Sequence, residues 1–502
     1  MNVRIKVFYL FLIIFLFTSC KKDCLKKGKC SPSSYESSYL QEQNLPEADG
    51  TVYYIDAEDG KKKNNGKSED KAFKTIKQLK KISFKPGDQI LFKRGQYHFG
   101  ELELKQSGTD TKRIYISSYG IGFMPIVKSE DGTNLKSTKK AFFLNQANYV
   151  TIQNLNIQGG GQSIVLSNSS YVVIEGCRIG ENSESGIRIT GEYSTGNGSN
   201  NGEIHHCLIY SNASGNLGDR QGTDGIQLFD GASNWHIHNN ELKAWTHSAV
   251  SIKQLNSLKQ NNNNTIEFNF FDCSDIDYMR AIDITGGDNL CADNIVQKNI
   301  IKNQTVTSHF HGNNNLLAYN MFLGLQISSA TEQHWAVDFH VITNQLGMPQ
   351  RDKLVCYDNK VYNNLFYNYT EGTGIRLLTA KDGASYIVHD NKIINNIFYN
   401  VGNAIEMDEE PESTIISNNI FYNSNSNIQL FYNGTNYSLV NFESLSVNYI
   451  NNLELNPSFS NNSDFNLNSA SPAIDAGLNV GLTTDFNNNL LNNAPDIGAV
   501  EY

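Results

Sequence analysis

The chain has 502 residues, a formal net charge of −10, 39% apolar residues and only 18% charged residues. This balance argues against any general attraction to nucleic acid or anionic membrane, and the supply of Ile, Val, Phe and Tyr argues against disorder. Gly, Asn and Ser fill the remainder, which points to a turn-rich all-β protein long enough for a large core or more than one domain.

In chain order, residues 1–20 come first. Arg4 and Lys6 precede an apolar run, Val7–Phe17, that is short for a membrane span. Phe17-Thr18-Ser19-Cys20 resembles the bacterial lipobox, with Phe17 where Leu is usual. The resemblance implies cleavage before Cys20, acylation of its thiol and anchorage to the outer membrane, facing periplasm or surface. The lipid would be the sole membrane contact. Lys21-Lys22-Asp23 resembles surface-export signals of Bacteroidetes lipoproteins. Residues 21–48 are Lys-, Ser- and Glu-rich and are expected to be a tether. Cys24 and Cys30 lie there and could pair in an oxidising compartment. Cys177, Cys207, Cys273, Cys291 and Cys356 are scattered with no CxxC pair, which speaks against a zinc site.

Residues 49–145 are expected to hold an N-terminal cap and the first coils. Tyr53–Asp56 predicts a strand. The segment from Ser68 to Ile82 predicts an amphipathic helix, with Ser68 as N-cap and Phe73, Ile76, Leu79 and Ile82 on one face. Such a helix would cover the exposed edge of the first rung.

From 146 to 432 one pattern recurs, from YVTIQNLNI (149–157) to TIISNNIF (414–421). Apolar residues alternate up to a fixed position: Leu155, Cys177, Cys207, Asn240, Asn269, Asn299, Asn320, Asn364, Asn396 and Asn419. The steps are 22, 30, 33, 29, 30, 21, 44, 32 and 23 residues. A shortest step near 22 residues with variable insertions predicts a single-stranded right-handed parallel β-helix, one coil per repeat. Asn suits the corner because it tolerates left-handed backbone and bonds its stacked copy. Cys177 and Cys207 share that column and are expected to be buried packing thiols. After Tyr432 the period weakens, and 433–502 are expected to be terminal coils and a lid.

A second strand follows in each coil, such as GIRI, GIQLF, AVSIK, AIDIT and AIEMD. Period-2 alternation turns Ile187, Ile226, Val250, Ile282, Ile375 and Ile405 inward. It predicts three outward columns. The first is small (Gly186, Gly225, Ala249, Ala281, Gly374, Ala404) and the second polar (Arg188, Gln227, Ser251, Asp283, Arg376, Glu406). The third includes Phe229, Lys253, Thr285 and Asp408. A small column beside a polar one predicts a shallow trough along the axis, suited to a long polymer.

The opening YYIDAEDG…AFKTI…PGDQILFKRGQY, the coils, and the ending SPAIDAG…DIGAVEY resemble secreted right-handed β-helix proteins of Bacteroidetes that act on polysaccharides. That group includes lyases, hydrolases, epimerases and noncatalytic binding proteins, so the resemblance implies a polysaccharide partner without one reaction. SAVSIK followed by NNTIEFNFF is similar to the stretch around the catalytic Lys of polysaccharide lyase family 6. The departures are extra residues after Lys253, Thr285 where that family has a catalytic Arg, and His247 and Ser248 where its Ca²⁺-binding acids stand. Ca²⁺ therefore stays open as a cofactor, and no other is expected.

Elimination requires a cation to neutralise a uronate, a base for the C5 proton and an acid for the leaving oxygen. The candidates are Lys253 or His247 as base and Arg280 for charge neutralisation, with Arg188 and Arg376 holding acidic groups. Gln227, Phe229 and Glu406 would contact the chain. Hydrolysis requires two carboxylates, for which Asp224, Asp230 and Asp283 are candidates, with Glu406 and Asp408 farther along. Gly222-Thr223-Asp224-Gly225 resembles the Asn-Thr-Asp-Gly motif of polygalacturonases. Noncatalytic glycan binding or adhesion is the third reading. Phe229 and Trp245 could stack on sugars. His236 and His238 are expected on another face as solvated histidines. His309, His311, His334 and His340 are placed to overhang the trough. A lyase acting as a monomer on an acidic polysaccharide is the leading expectation.

Overall fold

In the computed structural model the described residues are 37–129, 139–191, 198–210, 223–254, 259–273, 280–287, 289–304, 308–324, 335–340, 356–370, 372–378, 380–381, 384–385, 388–408, 411, 413–424, 430–491 and 494–502. Cys20, Cys24, Cys30 and His334 lie outside them, and so does the side chain of His340.

The alternation seen in the sequence closes into a right-handed parallel β-helix with three strands per coil. Among the described residues the first sheet has 14 strands, from Val52–Ile55 to Tyr449–Ile450, and the second has 12, from Tyr97–Phe99 to Ile420–Tyr422. The third has 15 among them, mostly six residues long, including Asp224–Phe229, Ser248–Lys253 and Arg280–Thr285. The recurring nine-residue pattern thus holds two strands, one in each of the first two sheets, as in Val150–Gln153 and Asn156–Gln158. In-register pairing stacks like on like. Ile187, Ile226, Val250 and Ile282 form one fully buried column. Phe322, Phe366, Phe398 and Phe421 stack at centroid spacings of 4.9, 4.8 and 5.0 Å.

The corner between the first two sheets carries an asparagine ladder. From Asn240 to Asn419, each backbone N–H and side-chain amide donates to the Oδ1 of the next rung's Asn, ending on Asn452. Left-handed backbone belongs to the preceding residue, for example Asn239, Phe268 and Lys298, so the ladder Asn is chosen for its amide alone. A second ladder runs through Asn264, Asn294, Asn315, Asn359 and Asn391, each directly before a first-sheet strand.

Several expectations change. The segment 68–82 is not one helix but two 3₁₀ turns, Glu69–Lys71 and Ile76–Lys81. Phe73 lies between them, bridges Ile55 as a strand residue and bonds the backbone of Tyr54 and Asp56, which interrupts the helix. Thr75 forms the capping box with Gln78, whereas Ser68 makes no side-chain cap bond. Residues 335–340, WAVDFH, are not part of an overhang but a full rung of the third sheet. The small column does not line a trough. Ala249 and Ala281 are fully buried, and a Cβ at Gly186 or Gly225 would meet the buried Trp245 ring. At Gly374 it would lie 2.8 Å from Phe398. Alternation breaks there, so two successive residues face inward, and small side chains admit the rings beneath.

Residues 453–502 do not simply lid the last coil. Phe465, Leu467, Ile497 and Val500 pack on Met321, Leu365, Ile397 and Ile420 along the second sheet's outer side. Tyr39 stacks on Phe270, and Leu40 packs against Leu208 and Tyr210 on that same side. The end of the core is closed instead by Leu439, Phe442 and Tyr449. Both terminal segments thus cover the second sheet, and Val480, Leu482 and Leu491 also pack against Tyr362 and Ile394 on the later strands of the first.

Candidate functional site

The broken alternation decides the site. Two inward residues between positions 224 and 227 place Asp224 and Gln227 on the same outer side, and Gln227 Nε2 donates to Asp224 Oδ2 at 2.8 Å. The same step joins Arg280 Nη1 to Asp283 Oδ2 at 2.7 Å. Rungs lie about 4.8 Å apart, so side chains also bond across them. Lys253 Nζ reaches Asp283 Oδ2 on the next rung at 2.5 Å, while within that rung Thr285 Oγ1 donates to Asp283 Oδ1 at 2.7 Å. His247 Nδ1 lies 2.7 Å from Asp224 Oδ1, while its Nε2 faces Arg280 Nη1 at 3.4 Å. Arginine only donates, so the network assigns the proton to Nδ1, bonded to Asp224, and leaves a lone pair on Nε2.

These contacts make one cluster of His247, Asp224, Arg280, Asp283 and Lys253 on three adjacent rungs. Burial pushes Asp224 up, but the facing His247 and then Lys253 more than offset it, leaving its carboxyl below the ordinary range. Asp283 is buried too, and Lys253 and Arg280 hold it well below that range despite burial. Ser251 Oγ and Gln227 Oε1, on neighbouring rungs beside the cluster, are buried without a hydrogen-bond partner among the described residues.

The row continues along the axis. His309 follows Asp283 in register, and Asp338 follows His309. Burial, with Arg280 beside it, holds His309 down to about 4. Arg376 binds Asp338 through two nitrogens, at 3.0 and 2.7 Å, and lies 3.5 Å over the Trp335 ring. Glu406 Oε2 accepts from Trp335 Nε1 and Thr373 Oγ1, both at 3.0 Å. At the other end Arg188 sits over Phe229 and 3.3 Å from Glu184.

Sequence reasoning missed Asp338 and Trp335. The signal was present, since WAVDFH repeats the small–apolar–polar–apolar order of AIDIT. Asp230 stands apart. It follows the strand with left-handed backbone, six residues from Asp224, or roughly 20 Å along an extended chain. That is beyond the roughly 5–9.5 Å of a glycosidase pair. Trp245 is fully buried and Phe229 is covered by Arg188, so neither offers a free ring face to a sugar. His311 lies in register with Thr285. His236 and His238 lie on the first sheet.

Calcium does not fit the cluster. Lys253 and Arg280 already neutralise Asp283, His247 and Gln227 occupy the oxygens of Asp224, and among the described residues no three His, Cys or acidic ligands converge there.

Residues 53–248 match the sequence model of a family described as Pel9A-like, right handed beta helix region. No curated protein matches the chain. Among solved structures the chain is similar to XylC in complex with xylose, with TM-score 0.55 and 11% identity over 90% of this chain and 98% of that one. Pectate lyase Pel9A gives TM-score 0.48 and 15% identity over 90% and 96% of the two chains. The PL6 family polysaccharide lyase Pedsa3628 from Pseudopedobacter saltans gives TM-score 0.48 and 15% identity over 85% and 98%. At these identities the likeness is one of fold.

Proposed function

We propose that this protein is an extracytoplasmic enzyme that cleaves a uronate-containing polysaccharide by β-elimination on the outer face of the third sheet. The observation that carries the reading is the joined His247–Asp224 and Arg280–Asp283–Lys253 cluster. Arg280 and Lys253 would neutralise the substrate carboxylate, which acidifies its C5 proton. His247 Nε2, oriented by Asp224 through Nδ1, would take that proton; the C5–H electron pair would form the C4–C5 double bond as the C4–O bond breaks, and the leaving oxygen would take a proton from the imidazolium or from water. Lys253 fits the cationic role better than that of base, because its ammonium is bound to an ionised Asp283. Hydrolysis is less well supported. A glycosidase needs one carboxyl protonated at working pH, and both Asp224 and Asp283 are held toward the ionised form. The Pel9A-like match over 53–248 supports the β-helix scaffold and includes Asp224 and His247. Arg188 and Arg376 would bind acidic groups at the ends of the row. Lipid anchorage through Cys20 belongs to the same reading, and a Cys20→Ala variant should lose labelled fatty acid and membrane association.

The test is incubation of the purified protein with a panel of acidic and neutral polysaccharides, following ultraviolet absorbance and reducing ends together. Absorbing ends formed with reducing ends are expected. Reducing ends alone would mean hydrolysis, and retention on a glycan column with neither signal would mean binding only. His247→Ala and Arg280→Ala should each lower the elimination rate about 100-fold or more. Full activity in His247→Ala would remove it as the base and return that role to Lys253.

A further inference from the structure

The first sheet carries a second cluster that the proposed reaction does not use. Its outer columns place Glu203, His236 and Thr265 on successive rungs, beside Glu175, His205, His238 and Glu267. His238 Nε2 lies 2.7 Å from Glu203 Oε1, His236 Nε2 lies 2.8 Å from Glu267 Oε1, and His205 Nε2 lies 3.2 Å from Glu175 Oε2. The His236 and His238 rings stack at 4.0 Å, and those of His205 and His238 at 5.0 Å.

We infer that Glu203, His236 and His238 form a binding site for a divalent transition-metal ion, zinc being the best match. One ligand atom from each of the three lies within 4.8 Å of the others. Two atoms bound to one tetrahedral zinc stand roughly 3.3 Å apart, from bond lengths of about 2.0–2.1 Å. The three side chains therefore need only small rotations. The donor set of two imidazoles and one carboxylate favours zinc, nickel or copper over calcium or magnesium. Support for the ligands is also present. Glu267 holds His236 at Nε2, with no partner for Nδ1 among the described residues, while Asn239 Oδ1 holds His238 Nδ1 at 2.7 Å and orients Nε2 toward Glu203. A carboxylate or amide behind a ligating imidazole is the usual outer support of a metal site. The side chains of His236 and Glu203 are 42% and 39% exposed, so an ion can enter and keep an open position. Glu203 and the two histidines come from adjacent rungs, so the ion would also clamp one coil to the next.

Calorimetric titration of the metal-stripped full chain with zinc chloride tests this. One equivalent is expected to bind at micromolar Kd or tighter, with a rise in melting temperature. His236→Ala and His238→Ala should each weaken binding at least 10-fold. Glu203→Gln, which keeps the hydrogen-bonding shape, should do so as well and serves if an alanine variant fails to fold. His309→Ala, on the third sheet, should leave binding unchanged. No zinc binding, binding indifferent to His236, His238 and Glu203, or binding lost in His309→Ala would each overturn the assignment.

Discussion

Two outer faces of one solenoid carry charged rows built on the same in-register pairing, and they treat their carboxylates differently. On the third sheet Asp224 and Asp283 are sunk into the face and meet Lys253, Arg280 and His247. On the first sheet Glu175, Glu203 and Glu267 stand farther out and meet imidazoles, with the Gln297 amide also donating to Glu267. The side chain decides the depth. Asp is too short to rise from a rung, so its charge stays in the wall, where Asp283 is met by the cations Lys253 and Arg280 and Asp224 by His247 and Gln227. Glu lifts its carboxylate toward solvent, where a histidine partner suffices. One face therefore holds a permanent charge array suited to a charged polymer. The other offers donors that a metal ion can share.

The contrast can be broken by removing one carboxylate from each face. Asp283→Ala leaves Lys253 and Arg280 without their common partner, and a loss of about 3–5 kcal/mol in folding stability is expected from denaturant midpoints. An acid titration sharpens it next. His309 is held down to about 4 from an ordinary 6.5. The unfolded chain therefore gains that proton first as pH falls, and stability drops between about pH 6.5 and 4, by roughly 3 kcal/mol at full effect. His309→Gln should flatten that slope in melting temperature against pH. Asp224 and Asp283 act lower. Their folded values are depressed, so their contribution is complete above the ordinary 3.8 and is lost as pH falls through the folded values. The smallest effect belongs to the first sheet. Glu203→Ala without metal should cost under about 1 kcal/mol, because the pair is partly exposed. A loss equal to that of Asp283→Ala would erase the distinction between the faces.

Much of the scaffold is legible in the sequence because a stacked coil imposes its period on the residues. Asn240, Asn269, Asn299 and Asn320 recur at coil-length spacing, and each accepts the bonds of its neighbour. Lys253, Asp283, His247 and Arg280 are also recognisable as polar residues of one strand family. Their partnership is not. His247 and Arg280 are 33 residues apart, and the insertions between rungs hide which residue will stand above which. The small column is legible as a pattern but misleads about direction, since Gly186 and Gly225 mimic an outward position while facing Trp245, and Ala249 is fully buried.

By itself the sequence determines the repeating coil, the inward apolar columns and the corner amide ladder, because each depends on residues a fixed few positions apart. Tertiary structure alone decides which faces stay open, since the terminal segments cover the second sheet from far along the chain. It also decides that Asp224, His247, Arg280, Asp283 and Lys253 share one network. Contacts between rungs depend on register, and register is set by stacking of the core rather than by spacing along the chain.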